Sequence, residues 1–187
     1  MGGKVAIIGA GTMGSGIAQS ALTAGYDVIL MDRHAQAAES GLAKVRAGLD
    51  KAVAKGALTA AKKAELSAKI RISEDFSDAK GAVIVIEAIF ESIEAKSELF
   101  RNLEKYLDKD AVIASNTSSI SITRLASGMR HNERLVGLHF FNPVPVMKLV
   151  EVVRGKNTSQ SAIDKARSFA VGLGKTPVEV NDSPGFV

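Results

Sequence analysis

The stretch KVAIIGAGTMGSGIAQSALTAGYDVILMD, residues 4–32, decides the fold. It opens on a continuous apolar run, VAII, of the kind that is buried on both faces of a sheet. Gly9, Gly11 and Gly14 follow at GxGxxG spacing, SGIAQSALTA runs on at helical period, Gly25 closes it, and DVILM returns to strand character before Asp32. Three glycines at that spacing arise readily by chance. A strand, a tight turn, a helix and a second strand ending in an acid do not arise together so easily. Each glycine has its own task in such a βαβ unit: Gly9 permits the turn, Gly11 removes a side chain from the path of a pyrophosphate, and Gly14 lets the helix approach the strand. The helix N-terminus then offers amide donors to phosphate. Asp32, roughly 20 residues beyond the glycines, is placed to accept hydrogen bonds from an adenosine ribose and to repel a 2′-phosphate, which selects NAD over NADP. Arg33 beside it leaves the phosphorylated cofactor open. FAD shares the fingerprint, but 187 residues leave little room for a second, flavin-embracing domain. A nucleotide-free domain with an incidental glycine turn is the remaining alternative.

Outward from this unit, short apolar runs alternate with longer periodic segments. Strands are expected at 4–9, 27–31, 70–73, 83–87, 112–115, 135–140, 149–153 and 177–180, and helices at 13–24, 91–107 and 159–173. The Ala- and Lys-rich stretch 35–68 reads as a helical hairpin, broken near Gly56 and restarted with Thr59 as N-cap. The expected fold class is α/β: a Rossmann-type, mostly parallel sheet flanked by helices, with that hairpin as an insertion. No linker or repeat divides residues 1–187, which read as one dinucleotide-binding domain. At the end, NDSPGFV predicts a Ser-Pro-Gly turn followed by an apolar segment, where a further element would begin.

Composition narrows the function classes. With 46% hydrophobic and 24% charged residues and no apolar run of the roughly 18 residues needed to cross a bilayer, a water-soluble domain with no membrane role is expected. The absence of cysteine removes disulfides and thiolate metal sites, and no metal centre is expected. The N-terminus enters a strand without a charged and apolar leader, so a cytoplasmic location is expected. A net charge of +4 raises nucleic acid as a partner, but the lysines lie among carboxylates and only seven Phe and two Tyr are available to stack on bases, so none is expected. The densest basic stretch, Lys44, Arg46, Lys51, Lys55, Lys62 and Lys63, has a solvated helix face as its plain reading.

Of the three histidines, only His139 stands between an apolar run, LVGL, and a constrained turn, FFNPVPVM. If the chain folds back about Pro145, His139 and Glu151 come opposite, since both are equidistant from it. A carboxylate set among LV and VV requires a partner. Such an acid fixes the imidazole tautomer and stabilises the imidazolium formed once a hydroxyl proton has been taken. A purely structural His-Glu pair fits the same residues. The segment SNTSS, Ser115 to Ser119, follows a strand and belongs at the carboxyl edge of the sheet, where cofactor and substrate meet, or else caps a helix over 120–126.

Taken together, GAGTMGSGIAQ, VIEAIFE, ASNTSS, LHFFNPVPVMKLVEVV and DSPGFV resemble the L-3-hydroxyacyl-CoA dehydrogenases over essentially the whole chain. The resemblance implies NAD-dependent oxidation of a 3-hydroxyacyl-CoA to the 3-ketoacyl-CoA, with His139 as base, Glu151 as its partner and Ser118 against the substrate. It maps cofactor contacts onto Gly9, Ala10, Gly11, Thr12, Met13 and Gly14, and onto Asp32, Glu91, Lys96, Ser118 and Asn142. It also gives the basic stretch a second reading, with Lys55 as a contact for a CoA phosphate. Members of the family continue past DSPGF into a helical domain that carries a catalytic Asn and most of a homodimer interface. That domain is absent from these 187 residues, which are therefore expected to bind NAD and to turn over poorly. A non-catalytic NAD-responsive module, or a 3-hydroxyacid dehydrogenase that does not use CoA, remains compatible with the same motifs.

Overall fold

In the computed structural model, which describes residues 2–183 and Gly185, the opening unit is β1 (Lys4–Ile8), α1 (Thr12–Thr23) and β2 (Asp27–Met31), with β2 parallel to β1. The chain then runs through α2 (Ala35–Ala54) and α3 (Ala60–Ser67) to β3 (Ile70–Ser73), which extends the same side of the sheet. The hairpin breaks where the sequence indicates: Gly56 has φ +71°, and Thr59 Oγ1 accepts the amide of Lys62. A 3₁₀ turn, Phe76–Ala79, leads back to β4 (Ala82–Glu87) on the opposite side of β1. From there α4 (Ile93–Leu103), β5 (Val112–Ser115), α5 (Ile122–Ala126) and β6 (Leu135–Phe140) continue the parallel sheet. After a tight turn β7 (Leu149–Arg154) runs antiparallel to β6, and α6 (Gln160–Gly172) connects it to β8 (Thr176–Asn181), parallel to β7.

The strand order, β3-β2-β1-β4-β5-β6-β7-β8, reverses direction between β1 and β4. That reversal opens a crevice at the carboxyl ends of the strands, the ligand position in doubly wound sheets. Alternate residues of β1 feed two separate cores. Val5 and Ile7 pack with Ile17, Leu22, Phe140 and Ile163 on one face; Ala6 and Ile8 pack with Phe100, Leu103, Ile113 and Leu125 on the other. Burial on both faces explains why VAII lacks polar alternation.

Three details depart from the expectations, and a fourth expectation falls outside the described residues. The helix expected over 91–107 is shorter, Ile93–Leu103, because Ser92 caps it by accepting the Ala95 amide and Glu91 is left in the preceding loop. The helix expected over 120–126 starts at Ile122, and its cap is Ser121 rather than a residue of SNTSS. β8 is an exposed edge strand rather than one buried on both faces, which tolerates Pro177 because no neighbour needs its missing N–H. The turn and apolar end expected at 183–187 fall on Pro184, Phe186 and Val187, which lie outside the described residues. Among the described residues, no helix is long and apolar enough to cross a membrane.

Candidate active site

Gly9 and Gly14 meet the steric demands that their spacing predicts. Gly9 has φ +100°, and a Cβ on it would lie 2.4 Å from the Ala88 carbonyl oxygen, so both its conformation and its closeness to the end of β4 demand glycine. A Cβ on Gly14 would sit 1.7 Å from the Gly9 oxygen, which shows how closely α1 is laid on the turn. Gly11 differs: a Cβ there would meet no protein atom within 4 Å and would project into the crevice. The space that glycine leaves open lies at the N-terminus of α1, and it fits a pyrophosphate. Ala10, Thr12 and Met13 complete the loop. Asp32 stands just beyond β2 and accepts the Ala10 amide through Oδ2 at 2.9 Å, which ties the acid to the glycine turn. A cavity of about 530 Å³ lies beside it, lined by Gly9, Gly11, Asp32, Arg33, Phe90 and Leu99 among others, with apolar walls suited to an adenine ring.

At the other side of the crevice, the antiparallel register of β6 and β7 places His139 directly across from Glu151. The imidazole Nδ1 lies 2.7 Å from Glu151 Oε2, and the carboxylate is almost fully buried. Phe141 packs against the imidazole with ring centroids 4.6 Å apart. His139, Ser118, Asn142, Met13, Glu91 and Lys96 line a further cavity of about 320 Å³ that adjoins the glycine loop through Met13. Of the residues that the resemblance assigns near the reacting end, all but Glu151, which meets the cavity only through His139, line this one space.

Beneath that cavity runs a polar network anchored by two residues, Glu87 and Ser115, whose part the sequence reading did not single out. Lys96 Nζ donates to Glu87 Oε1 at 2.5 Å, to Glu91 Oε2 at 3.0 Å and to the Ile89 carbonyl at 3.4 Å. Glu87 also accepts the Ile89 amide and the Ser115 hydroxyl. Burial pushes the Glu87 carboxyl above the ordinary range, opposed by Lys96, Ser115 and Ile89. Burial works in the same sense on Glu91, but hydrogen bonds from Thr117, Ser118 and Lys96 outweigh it and hold that carboxyl below its ordinary range. The signal for Glu87 was available: like Asp32, it is an acid that ends a buried apolar strand. Asn116, also unassigned, accepts the Phe140 amide and so braces the strand end that carries His139.

A third cavity, of about 630 Å³, separates the basic helix from the 143–146 turn and is lined by Lys44, Lys51, Lys55, Gln19, Asn142 and Pro143 among others. Lys55 thus faces a groove in company with two further cations. Lys62 and Lys63 do not; they pair with Glu65 and Asp50, and for them the solvated-surface reading holds. The turn itself is held by Lys175, whose buried ammonium donates to the carbonyls of Val144 and Met147. Desolvation lowers its pKa, and Lys148 adds to the effect.

A sequence profile described as "3-hydroxyacyl-CoA dehydrogenase, NAD binding domain" matches residues 4–183. The chain is 45% identical to a probable 3-hydroxybutyryl-CoA dehydrogenase of Bacillus subtilis (strain 168) and 41% identical to a 3-hydroxybutyryl-CoA dehydrogenase of Clostridioides difficile. Each match covers 98% of this chain, and 64% and 66% of the respective relatives, so the chain spans about two thirds of their length. Among solved structures it resembles the (S)-3-hydroxybutyryl-CoA dehydrogenase of Ralstonia eutropha, with a TM-score of 0.95 and 43% identity over 98% of this chain and 65% of that one. A close-packed glycine turn with open space at Gly11, an acid at the end of β2 and a profile match across nearly every residue lead to one assignment: this chain belongs to the NAD-binding domain family of the 3-hydroxyacyl-CoA dehydrogenases.

Proposed function

We propose that residues 1–187 are the cofactor-binding part of an enzyme that oxidises an L-3-hydroxyacyl-CoA to the 3-ketoacyl-CoA, and that His139 is its general base. The observation that carries this reading is the 2.7 Å His139–Glu151 contact at a cavity that also holds Ser118 and Asn142 and opens onto the glycine loop. With Nδ1 engaged by Glu151, His139 takes the C3 hydroxyl proton at Nε2, and the buried carboxylate stabilises the resulting imidazolium. As the O–H bond breaks, the C3–H bond gives up its electron pair and C3 becomes a carbonyl. Bound NAD is the hydride acceptor. Ser118 contacts the substrate oxygen from the opposite wall, while Glu91, Lys96 and Asn142 hold the nicotinamide end and Asp32 the adenosine ribose. Lys44, Lys51 and Lys55 line a groove that reaches Asn142, and they supply the positive charge a CoA phosphate requires. That groove favours a CoA thioester over a free 3-hydroxyacid.

The test is His139→Ala in the full-length protein, with 3-hydroxybutyryl-CoA as substrate and NAD affinity measured in parallel. Loss of the base is expected to lower kcat by about 10²- to 10⁴-fold while the Kd for NAD changes by less than about twofold. An equal loss of both would assign the pair to the fold rather than to the chemistry. Turnover of free 3-hydroxybutyrate as efficient as that of the thioester would reject the CoA reading.

A further inference from the structure

We propose that Glu87 sets the oxidation-state preference of the cofactor site, by giving the buried Glu87–Lys96–Glu91 cluster a net negative charge that favours the cationic oxidised nicotinamide over the neutral reduced one. The inference rests on the reading of the His139 cavity as the nicotinamide end of the site.

The charge state follows from the contacts. Glu87 is 0% exposed and Lys96 1%, so neither charge is neutralised by water or salt. Lys96 Nζ meets three acceptors, the two carboxylates and the Ile89 carbonyl, which match the three N–H bonds of an ammonium. Glu87 meets donors alone: Lys96 Nζ, the Ile89 amide and Ser115 Oγ. The Ser115 hydroxyl donates to Glu87 Oε2 while its oxygen accepts the Thr117 amide. With Lys96 and Ile89 donating to Oε1 and Ser115 to Oε2, both oxygens of Glu87 accept, the pattern of a carboxylate, and these donors oppose the upward push of burial. Glu91 accepts from Thr117, Ser118 and Lys96 and is a carboxylate too. Two carboxylates and one ammonium leave one negative charge under a cavity whose wall is formed by Glu91 and Lys96. Glu91 at the rim already balances the Lys96 charge one for one, so Glu87 is the surplus carboxylate of the cluster. What Glu87 adds is the uncompensated charge. The cost of burying it is met by fixed donors, and the gain appears when a positive ring occupies the cavity.

The experiment compares binding of NAD+, NADH and ADP-ribose, by calorimetry and NADH fluorescence, in the wild type and in Glu87→Gln, which keeps shape and removes one charge. A unit charge acting across about 10 Å at an effective dielectric of about 20 predicts that the ratio Kd(NADH)/Kd(NAD+) falls by roughly 15-fold. A tenfold change is equivalent to a rise of about 30 mV in the two-electron potential of the bound couple. ADP-ribose, which lacks the nicotinamide, should bind with less than about twofold change. Parallel weakening of NAD+ and NADH would overturn the proposal and leave Glu87 a structural support, with the site reading intact. A different failure marks that reading itself: if Ser118→Phe, which fills the cavity, weakens NADH no more than ADP-ribose, the nicotinamide is not there and the proposal falls with its site. Where Glu87→Gln does not fold, Glu91→Gln removes the same unit of charge from the rim and must move the ratio in the same direction, and no movement refutes the charge assignment.

Discussion

Gly11 and Gly14 are the same residue type three positions apart, yet alanine at each should fail in opposite ways. At Gly11 the backbone is extended, with φ −69° and ψ −163°, a conformation alanine adopts freely, and the added Cβ meets nothing within 4 Å. Gly11→Ala should therefore leave stability unchanged or raise it by about 0.4–1 kcal/mol through the unfolded chain, no more than about 4 °C in Tm for a domain of this size. The methyl group occupies the pyrophosphate space. Losing the close approach of even one amide to a charged phosphate is worth about 1.5–3 kcal/mol, so NAD should bind roughly 10- to 150-fold more weakly. At Gly14 the built Cβ lies 1.7 Å from a backbone oxygen, about 1.3 Å short of the 3.0 Å floor for such contacts, and neither atom belongs to a side chain that can rotate away. The whole of α1 must lift from the turn. Overpacking of this kind costs about 1–3 kcal/mol, against about 1 kcal/mol regained from the helix propensity of alanine. Gly14→Ala should lower Tm by a few degrees and weaken NAD as well, because the displaced helix carries the phosphate donors. Thermal unfolding without ligand and calorimetric titration with NAD+ measure both quantities on the same samples. A Gly11→Ala protein that is destabilised, or that binds NAD as the wild type does, would refute the assignment of the open space to the pyrophosphate.

Two further outcomes follow from the scaffold around the site. Asp182 accepts the Ile122 and Thr123 amides and the Ser121 hydroxyl, so from beyond β8 it holds the Ser121 cap and the first amides of α5; Asp182→Ala should cost about 1–2 kcal/mol and several degrees in Tm, and a melting curve that does not move would reject that support. Asp78 is held at a pKa of about 2, chiefly by its hydrogen bond to Arg71 and then by Ser73, below its ordinary 3.8. A depressed folded-state pKa stabilises the fold above the unfolded value and loses that contribution as pH falls from about 3.8 toward about 2. The Tm gap between wild type and Asp78→Asn should accordingly be present near neutrality and close through that acid window, whereas a gap that persists to its lower edge would show that the carboxylate charge is not its source.

Legibility in the sequence tracked the range over which each physical constraint acts. The βαβ unit was readable because its requirements lie within thirty residues: an apolar run with no polar alternation, glycines where a Cβ would strike backbone or cofactor, and an acid at a strand end. His139 and Glu151 were readable for the same reason, since a turn centred on Pro145 makes cross-strand partners of residues equidistant from it, and the register pairs them. What escaped depends on parallel neighbours far apart in the chain. Glu87 and Ser115 are 28 residues apart and meet because β4 and β5 lie side by side in register, a pairing that no local spacing encodes. Lys175 and the Val144 carbonyl it holds are separated by 31 residues and are joined only once β8 has been laid against β7. Asp182 stood inside a recognised motif, DSPGF, yet its hold on the first turn of a helix 60 residues earlier is set by the edge position of β8. Hairpins write their contacts into local sequence symmetry. Parallel crossovers do not, and the groups that meet beneath the crevice, Glu87, Lys96 and Ser115, come from different crossovers. The His139–Glu151 pair is therefore easier to read from this chain than the buried polar groups packed beneath the same cavity.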